Sequence, residues 1–134
     1  KEQFASMKGW VDYVTNVTTT PYLWTGGEHF GDWLALDAEL DEYKGASREE
    51  FIASAFYAHS VDLLVRAGKV IGKDVAYYEA LHNNIVRSFR NAYPVYMTQT
   101  EHALAIQLLR ILRKRRMIWQ KWFAESAVRY KPVL

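Results

Sequence analysis

The stretch Ser47-Arg48-Glu49-Glu50-Phe51-Ile52-Ala53-Ser54-Ala55-Phe56-Tyr57-Ala58-His59-Ser60-Val61-Asp62-Leu63-Leu64-Val65-Arg66-Ala67-Gly68 decides the fold class of this 134-residue chain. Ser47 and Glu50 have the S-x-x-E spacing of a capping box, in which each side chain answers an unpaired N–H of a helix's first turn. Phe51, Ile52, Ala55, Phe56, His59 and Leu63 then recur at the intervals of one helical face, and the stripe continues to Ala67. That period predicts a helix over about 48–67. Gly68 and Gly72 punctuate its end.

A second helix is predicted over about 74–92. Tyr78, Leu81, Ile85 and Phe89 form its buried face, and Pro94 stops it. So short a connection between two helices makes an antiparallel hairpin. Thr98 and Glu101 repeat the capping-box spacing and predict a third helix from about 99. Leu104, Leu108, Ile111, Ile118 and Trp122 continue its face, which Arg115 interrupts. Upstream, Phe4, Met7, Val11 and Val14 mark a helical face within 1–18, which ends in the run Asn16–Thr20 and Pro21. Between lies an irregular segment, 19–46, holding Gly26, Gly27, Gly31 and Gly45 with Trp24, Phe30 and Trp33 among them. Part of it, Asp32–Leu40, reads as a short helical turn. A loop of this length inside a compact domain is usually functional or a sign of misassigned elements. The expected fold class is all-α, built from helix hairpins.

Composition narrows the function classes. Half the residues are hydrophobic and 24% are charged, which excludes intrinsic disorder. There is no Cys, which excludes a disulfide framework, a thiolate metal site and a cysteine nucleophile. No two His fall at i, i+4 with an acid on one helix, so no zinc site is expected. No run approaches the roughly 18–20 apolar residues of a membrane span. The first residues, K-E-Q-F-A-S-M-K, show no signal-peptide pattern and no initiator Met, so Lys1 is not expected to be the natural start. Nothing fixes the compartment.

The net charge of +2 conceals an asymmetry. Residues 1–107 carry nine Lys and Arg against 14 Asp and Glu, whereas residues 108–134 carry eight basic residues and one acid, Glu125. A swing of that kind between adjacent segments signals different design pressures.

The densest chemical signal is Gly26-Gly27-Glu28-His29-Phe30-Gly31-Asp32-Trp33-Leu34. Glycines let backbone and ligand approach closely. Two carboxylates, an imidazole and two aromatic rings are what a sugar pocket uses: carboxylates hold paired hydroxyls, and an indole packs on the apolar face of the sugar ring. The plainer reading is an aromatic-anchored loop in which Asp32 caps a short helix.

At this motif, Gly27 to Ala35, G-E-H-F-G-D-W-L-A, the sequence resembles the bacterial α-L-rhamnosidases of glycoside hydrolase family 78. Three further segments resemble that family in order. They are Phe51-Ile52-Ala53-Ser54-Ala55-Phe56-Tyr57, Ala67-Gly68-Lys69-Val70-Ile71-Gly72-Lys73, and Thr98-Gln99-Thr100 with Ala103-Leu104 after it. The resemblance covers roughly 7–107. It implies an (α/α)6 toroid of helix hairpins whose loops at one end form the active site. It also implies inverting hydrolysis of a rhamnoside without a nucleotide cofactor, and Glu28, His29, Asp32 and Trp33 as substrate-binding residues. An inverting hydrolase needs an acid for the leaving oxygen and a base for water, about 6.5–9.5 Å apart.

The chain departs from the family's pattern at both of those carboxylates. The family's acid lies in a segment resembling D-E-R-x-G-W-x-G-D, which Gly9-Trp10 is not, and its base lies in a W-E segment, whereas no Trp here precedes Glu. The expectation is therefore a partial six-hairpin domain over 1–107, with no catalytic residue of its own. Residues 108–134 form a basic, aromatic tail atypical of the family. Two origins stay open for that tail, a change of reading frame or a genuine basic amphipathic helix. The competing functional reading is a non-enzymatic helical interaction domain whose tail binds polyanions. The preferred reading expects a rhamnoside as partner, self-association through uncovered barrel faces, and neither nucleic acid nor membrane.

Other residues carry less. His59 is expected near the core, and His82 and His102 on solvated faces. Tyr57 reads as core, with Tyr57 and Gln99 as outside candidates for the pocket. The acidic run Asp37, Glu39, Asp41 and Glu42 reads as solvated surface. A calcium loop is the weaker reading, because its central Gly and closing Glu are missing.

Overall fold

The computed structural model describes residues 2–33, 35, 38, 43–94, 101 and 104. The described residues include three full helices, α1 (Gln3–Val17), α2 (Glu49–Val70) and α3 (Ala76–Ala92). Among the described residues there is no named strand, only two isolated bridges, Thr20 with Leu23 and Trp33 with Lys44. Glu101 and Leu104 are helical. No described helix is long and apolar enough to cross a membrane.

α2 is the central element, packed against both α1 and α3. The five residues 71–75 link α2 to α3, so the two run in opposite directions, as the hairpin expectation requires. The core is one cluster drawn from all three helices: Val11 and Val14 of α1, Phe51, Ala58, Val61 and Leu64 of α2, Tyr78, Leu81, Ile85 and Phe89 of α3. Phe4 and Met7 pack against it. The apolar faces expected of α1 and α3 are therefore the buried ones.

The face of α2 differs from the predicted stripe. Phe56 and Leu63 are exposed and His59 is half-buried, while Ser54, Tyr57, Ala58, Val61, Leu64 and Val65 are buried. A helix gripped on two sides buries a wider arc than one stripe, and that arc is rotated away from Phe56 and Leu63. Tyr57 is core, its hydroxyl paired with that of Thr15 at 2.8 Å. Burial raises the pKa of the Tyr57 phenol.

α2 also runs past the predicted end. Gly68 is buried within it rather than terminating it, and the turn comes at Gly72, whose φ is 72°. The backbone N–H groups of Ile71, Gly72 and Lys73 return to Ala67, Lys69 and Gly68. α3 starts at Ala76, whose N–H is accepted by the Asp74 carboxylate at 3.0 Å. His82, expected in solvent, is buried in the α2–α3 seam. Burial lowers its pKa, and the Asp62 carboxylate opposes that. Tyr78 ties α3 to α1 by donating to Asp12 at 2.7 Å. Burial pushes the Asp12 carboxyl up, but hydrogen bonds from Lys8 and Tyr78 outweigh it and hold the pKa below its usual value.

Candidate functional site

The loop between α1 and α2 leaves the core through a tight turn. Pro21 supplies the first central residue and Tyr22 the second, with φ 63°. The Leu23 N–H closes the turn on the Thr20 carbonyl at 3.0 Å. Pro then a positive φ is the type II pattern, and a tyrosine at that second position is strained. The hydroxyl of Thr18 bonds the Leu23 carbonyl, and Thr19 and Thr20 meet Thr25 at 3.1 and 2.7 Å. The threonine run that breaks the helical pattern thus becomes a hydroxyl clasp at the loop's entrance.

Two series of rings follow. Tyr13, Trp10, Trp24 and His29 stand in successive contact, with centroids 6.0, 5.6 and 4.9 Å apart. His29 Nε2 is 3.0 Å from the Gly26 carbonyl. Phe30, Trp33 and Tyr43 form the second series, with Trp33 flat against Tyr43 at 5.4 Å and an interplanar angle of 16°. All three rings of the second series are exposed.

The expected turn over Asp32–Leu40 is not helical at its described start. Trp33 is bridged antiparallel to Lys44, and the Gly45 N–H donates to the Asp32 carbonyl at 2.9 Å. The Ala38 N–H donates to the Ala35 carbonyl at 3.2 Å. The acidic run Asp37, Glu39, Asp41 and Glu42 lies outside the described residues. Gly31 precedes Asp32 with φ 63°, and a Cβ there would stand 2.9 Å from Glu49 Cγ. Only glycine satisfies both the angle and that approach.

The first turn of α2 anchors this loop. Ser47, expected to cap the helix with Glu50, instead donates its hydroxyl to Asp32 Oδ2 at 3.3 Å. The helix starts later, at Glu49, with Arg48 at the cap position and no side-chain cap bond. Lys44 pairs with Glu49 at 2.6 Å. Glu101, 1% exposed, receives both the Arg48 backbone N–H at 3.2 Å and its Nε at 2.9 Å. The guanidinium also stands over Phe51 and Tyr93, 5.6 and 5.0 Å from their centroids. Ser54, fully buried, reaches the Trp24 carbonyl at 3.5 Å. Burial is the main cause that raises the Tyr93 phenol, offset in part by its hydrogen bond with Ser54.

The family model for the bacterial alpha-L-rhamnosidase six-hairpin glycosidase domain matches residues 1–116. The chain belongs to that family. It is 32% identical over 115 residues to an alpha-L-rhamnosidase of Formosa agariphila, an alignment covering 79% of this chain and 12% of the relative. It is 38% identical over 64 residues to an alpha-L-rhamnosidase of Streptomyces avermitilis, covering 48% of this chain and 6% of that protein. The crystal structure of the Streptomyces avermitilis alpha-L-rhamnosidase complexed with L-rhamnose superposes with a TM-score of 0.65 at 28% identity, covering 80% of this chain and 10% of that one. The chain thus spans an eighth or less of the length of these relatives. Being a piece of the six-hairpin rhamnosidase domain, it presents a few of the domain's helices.

Within this rhamnosidase piece the four expected site residues divide. Asp32 and Trp33 sit together where the loop returns to α2, Asp32 half-buried and Trp33 stacked on Tyr43. His29 turns toward Trp24, and Glu28 is exposed. Among the described residues no group of three or more His, Asp or Glu is placed to hold a metal ion. Sequence reading missed the loop's partners. Ser47 and Glu101 were legible only as local caps, because spacing reports neighbours within a turn and not partners 15 or 53 residues away. Tyr43 carries no pattern of its own. Of the expected third helix face only Leu104 is described, and it packs against the core; the rest of that face, His102, Gln99 and the tail 108–134 lie outside the described residues.

Proposed function

We propose that this chain is part of the catalytic domain of an inverting α-L-rhamnosidase, and that its 19–46 loop forms one wall of the rhamnose pocket. Asp32 and Glu28 accept hydrogen bonds from sugar hydroxyls, His29 adds a polar edge, and the Trp33 indole packs on the apolar face of the ring. The observation that carries this reading is the half-buried Asp32 beside the exposed Trp33, fixed at the start of α2 by the Ser47 hydroxyl and the Gly45 N–H. That the relatives are alpha-L-rhamnosidases supports the substrate class.

The acid and the base lie outside these 134 residues on this reading. Glu28 and Asp32 belong to one loop, whereas an inverting pair straddles the sugar from opposite faces. General acid–base groups contribute roughly 10²–10⁴-fold each. The purified chain is therefore expected to leave an aryl α-L-rhamnoside uncleaved. A parent enzyme carrying this segment is expected to cleave it, with Asp32→Ala and Trp33→Ala each lowering kcat/KM at least tenfold. Hydrolysis by the chain alone, abolished by Glu28→Gln, overturns the reading and moves catalysis into the loop.

A further inference from the structure

We propose that Ser47 is the positioning residue for Asp32, and that Glu101 locks the backbone from which Ser47 acts. The inference rests on the reading of Asp32 as a group that holds sugar hydroxyls. It adds a named device that aims that carboxylate.

The geometry has three links. Asp32 projects from a loop, and loop carboxylates are free to rotate unless something holds them. Ser47 Oγ donates to Oδ2 at 3.3 Å, and Ser47 is itself 5% exposed, so little water competes for the bond. The next residue is then fixed twice by one buried carboxylate, since Glu101 Oε1 takes both the Arg48 backbone N–H and its Nε. A carboxylate buried to that degree is tolerated only when it is paired and hydrogen-bonded. It also sits where the unpaired N–H groups at the start of α2 favour an anion. The loop itself is fastened to the same turn by Lys44 with Glu49 and by the Gly45 N–H on the Asp32 carbonyl. Asp32 therefore has its main chain and its side chain held by one short segment, 44–49.

A capping serine and a positioning serine differ in what their loss does. Removing a cap lowers helix stability and leaves a binding loop as it was. Removing a positioning hydroxyl loosens the carboxylate and the ring beside it while the helix bundle stays intact. The conservative replacement discriminates further, because threonine keeps the hydroxyl and alanine does not.

The test uses the 134-residue chain with Ser47→Ala, Ser47→Thr, Glu101→Gln and Asp32→Asn, read by NMR at the Trp33 indole and Gly45 amide, with melting temperature measured alongside. Without sugar, Ser47→Ala is expected to shift both resonances, Ser47→Thr to restore them, and the melting temperature to stay within a few degrees. Glu101→Gln is expected to move the same two resonances in the same direction. With L-rhamnose as the probe, Ser47→Ala is expected to weaken binding about three- to tenfold, the scale of one ordinary hydrogen bond, with Thr restoring it. Unchanged resonances in Ser47→Ala overturn the positioning role whatever the sugar does. Resonances that shift and are rescued, in a chain whose wild type shows no response to L-rhamnose, overturn the sugar reading instead. Wild-type affinity in Ser47→Ala beside lost affinity in Asp32→Asn shows an Asp32 that works without Ser47, and overturns the proposal.

Discussion

Gly68→Ala tests whether the bundle is held by close approach at one point. Gly68 is buried in the last turn of α2. A Cβ built there would overlap Val75 Cγ1 and would stand 3.1 and 3.2 Å from Phe4 Cε2 and Cζ. Val75 belongs to the α2–α3 link and Phe4 to α1, so one methyl on α2 presses on both. In an open helix the same change is stabilising by about 1 kcal/mol, because glycine loses more backbone freedom than alanine. Overpacking a filled site costs roughly 1–3 kcal/mol. The overlap with Val75 puts this site at the upper end, and the net expectation is a loss of about 1–2 kcal/mol. For a domain of this size that lowers the melting temperature by roughly 4–8 °C. Urea and thermal denaturation followed by circular dichroism measure it. Val75→Ala removes the methyl that the new Cβ meets, so the double variant is expected to be about 1 kcal/mol more stable than the two single effects add up to. A Gly68→Ala protein more stable than wild type, with an additive cycle, refutes the close-approach argument and leaves Gly68 as a helix-end glycine.

Four further outcomes are expected. Glu101→Ala removes the carboxylate that takes both Arg48 donors, and urea unfolding is expected to show a loss of about 1–3 kcal/mol, discounted for the partly exposed guanidinium, against less than about 0.5 for Lys44→Ala in its solvent-exposed pair. Tyr22→Gly relieves a positive φ and is expected to gain about 1 kcal/mol in the same assay. Because burial depresses the pKa of His82, the folded state binds fewer protons than the unfolded one, so stability is expected to fall as pH drops below the unfolded value of about 6.5, and His82→Leu is expected to flatten that slope in unfolding curves at pH 5–8. Phe56, Leu63 and Val70 leave an exposed apolar stripe seven residues apart along α2. Concentration-dependent self-association is therefore expected in sedimentation, and Phe56→Arg with Leu63→Arg is expected to abolish it.

The existence of the helices was legible because α1 and α3 bury one stripe each, which a 3.6-residue period reports directly. α2 was legible as a helix and misread as a face, since it is gripped from two sides and its buried arc spans more than one stripe. Gly68 and Gly72 look alike in sequence, yet one is a packing glycine and the other the turn with φ 72°. Composition does not separate those uses. His82 was assigned to solvent on its polarity, while the Leu81, Ile85 and Val86 around it carry it into the seam. The candidate site was legible as a motif, because glycines, rings and acids were adjacent in the chain. Its supports were not, because each of them arrives from another part of the sequence.

The two ends of the α2–α3 pair are built differently, and that difference argues for function independently of family. The 71–75 link is closed by backbone bonds to Ala67, Gly68 and Lys69 and by one positive-φ glycine. Such a turn needs no distant partner. At the opposite end, Ser47, Ser54 and Glu101 are three of the four buried polar residues among those described. Each of the three reaches a group far away in sequence, at Asp32, Trp24 and Arg48 respectively. Burying such groups costs free energy that an apolar end would not, unless every bond is kept. A fold that needed only stability would carry leucine at such positions. Polar groups there give up part of that stability for a defined loop geometry. The loop they define ends in an exposed stacked pair, Trp33 on Tyr43, next to a carboxylate held from behind. Exposed rings that are held in place but left uncovered are poorly explained by packing within the described chain. On the proposed reading they meet a ligand with an apolar face and hydroxyls, which is the chemistry of a sugar ring.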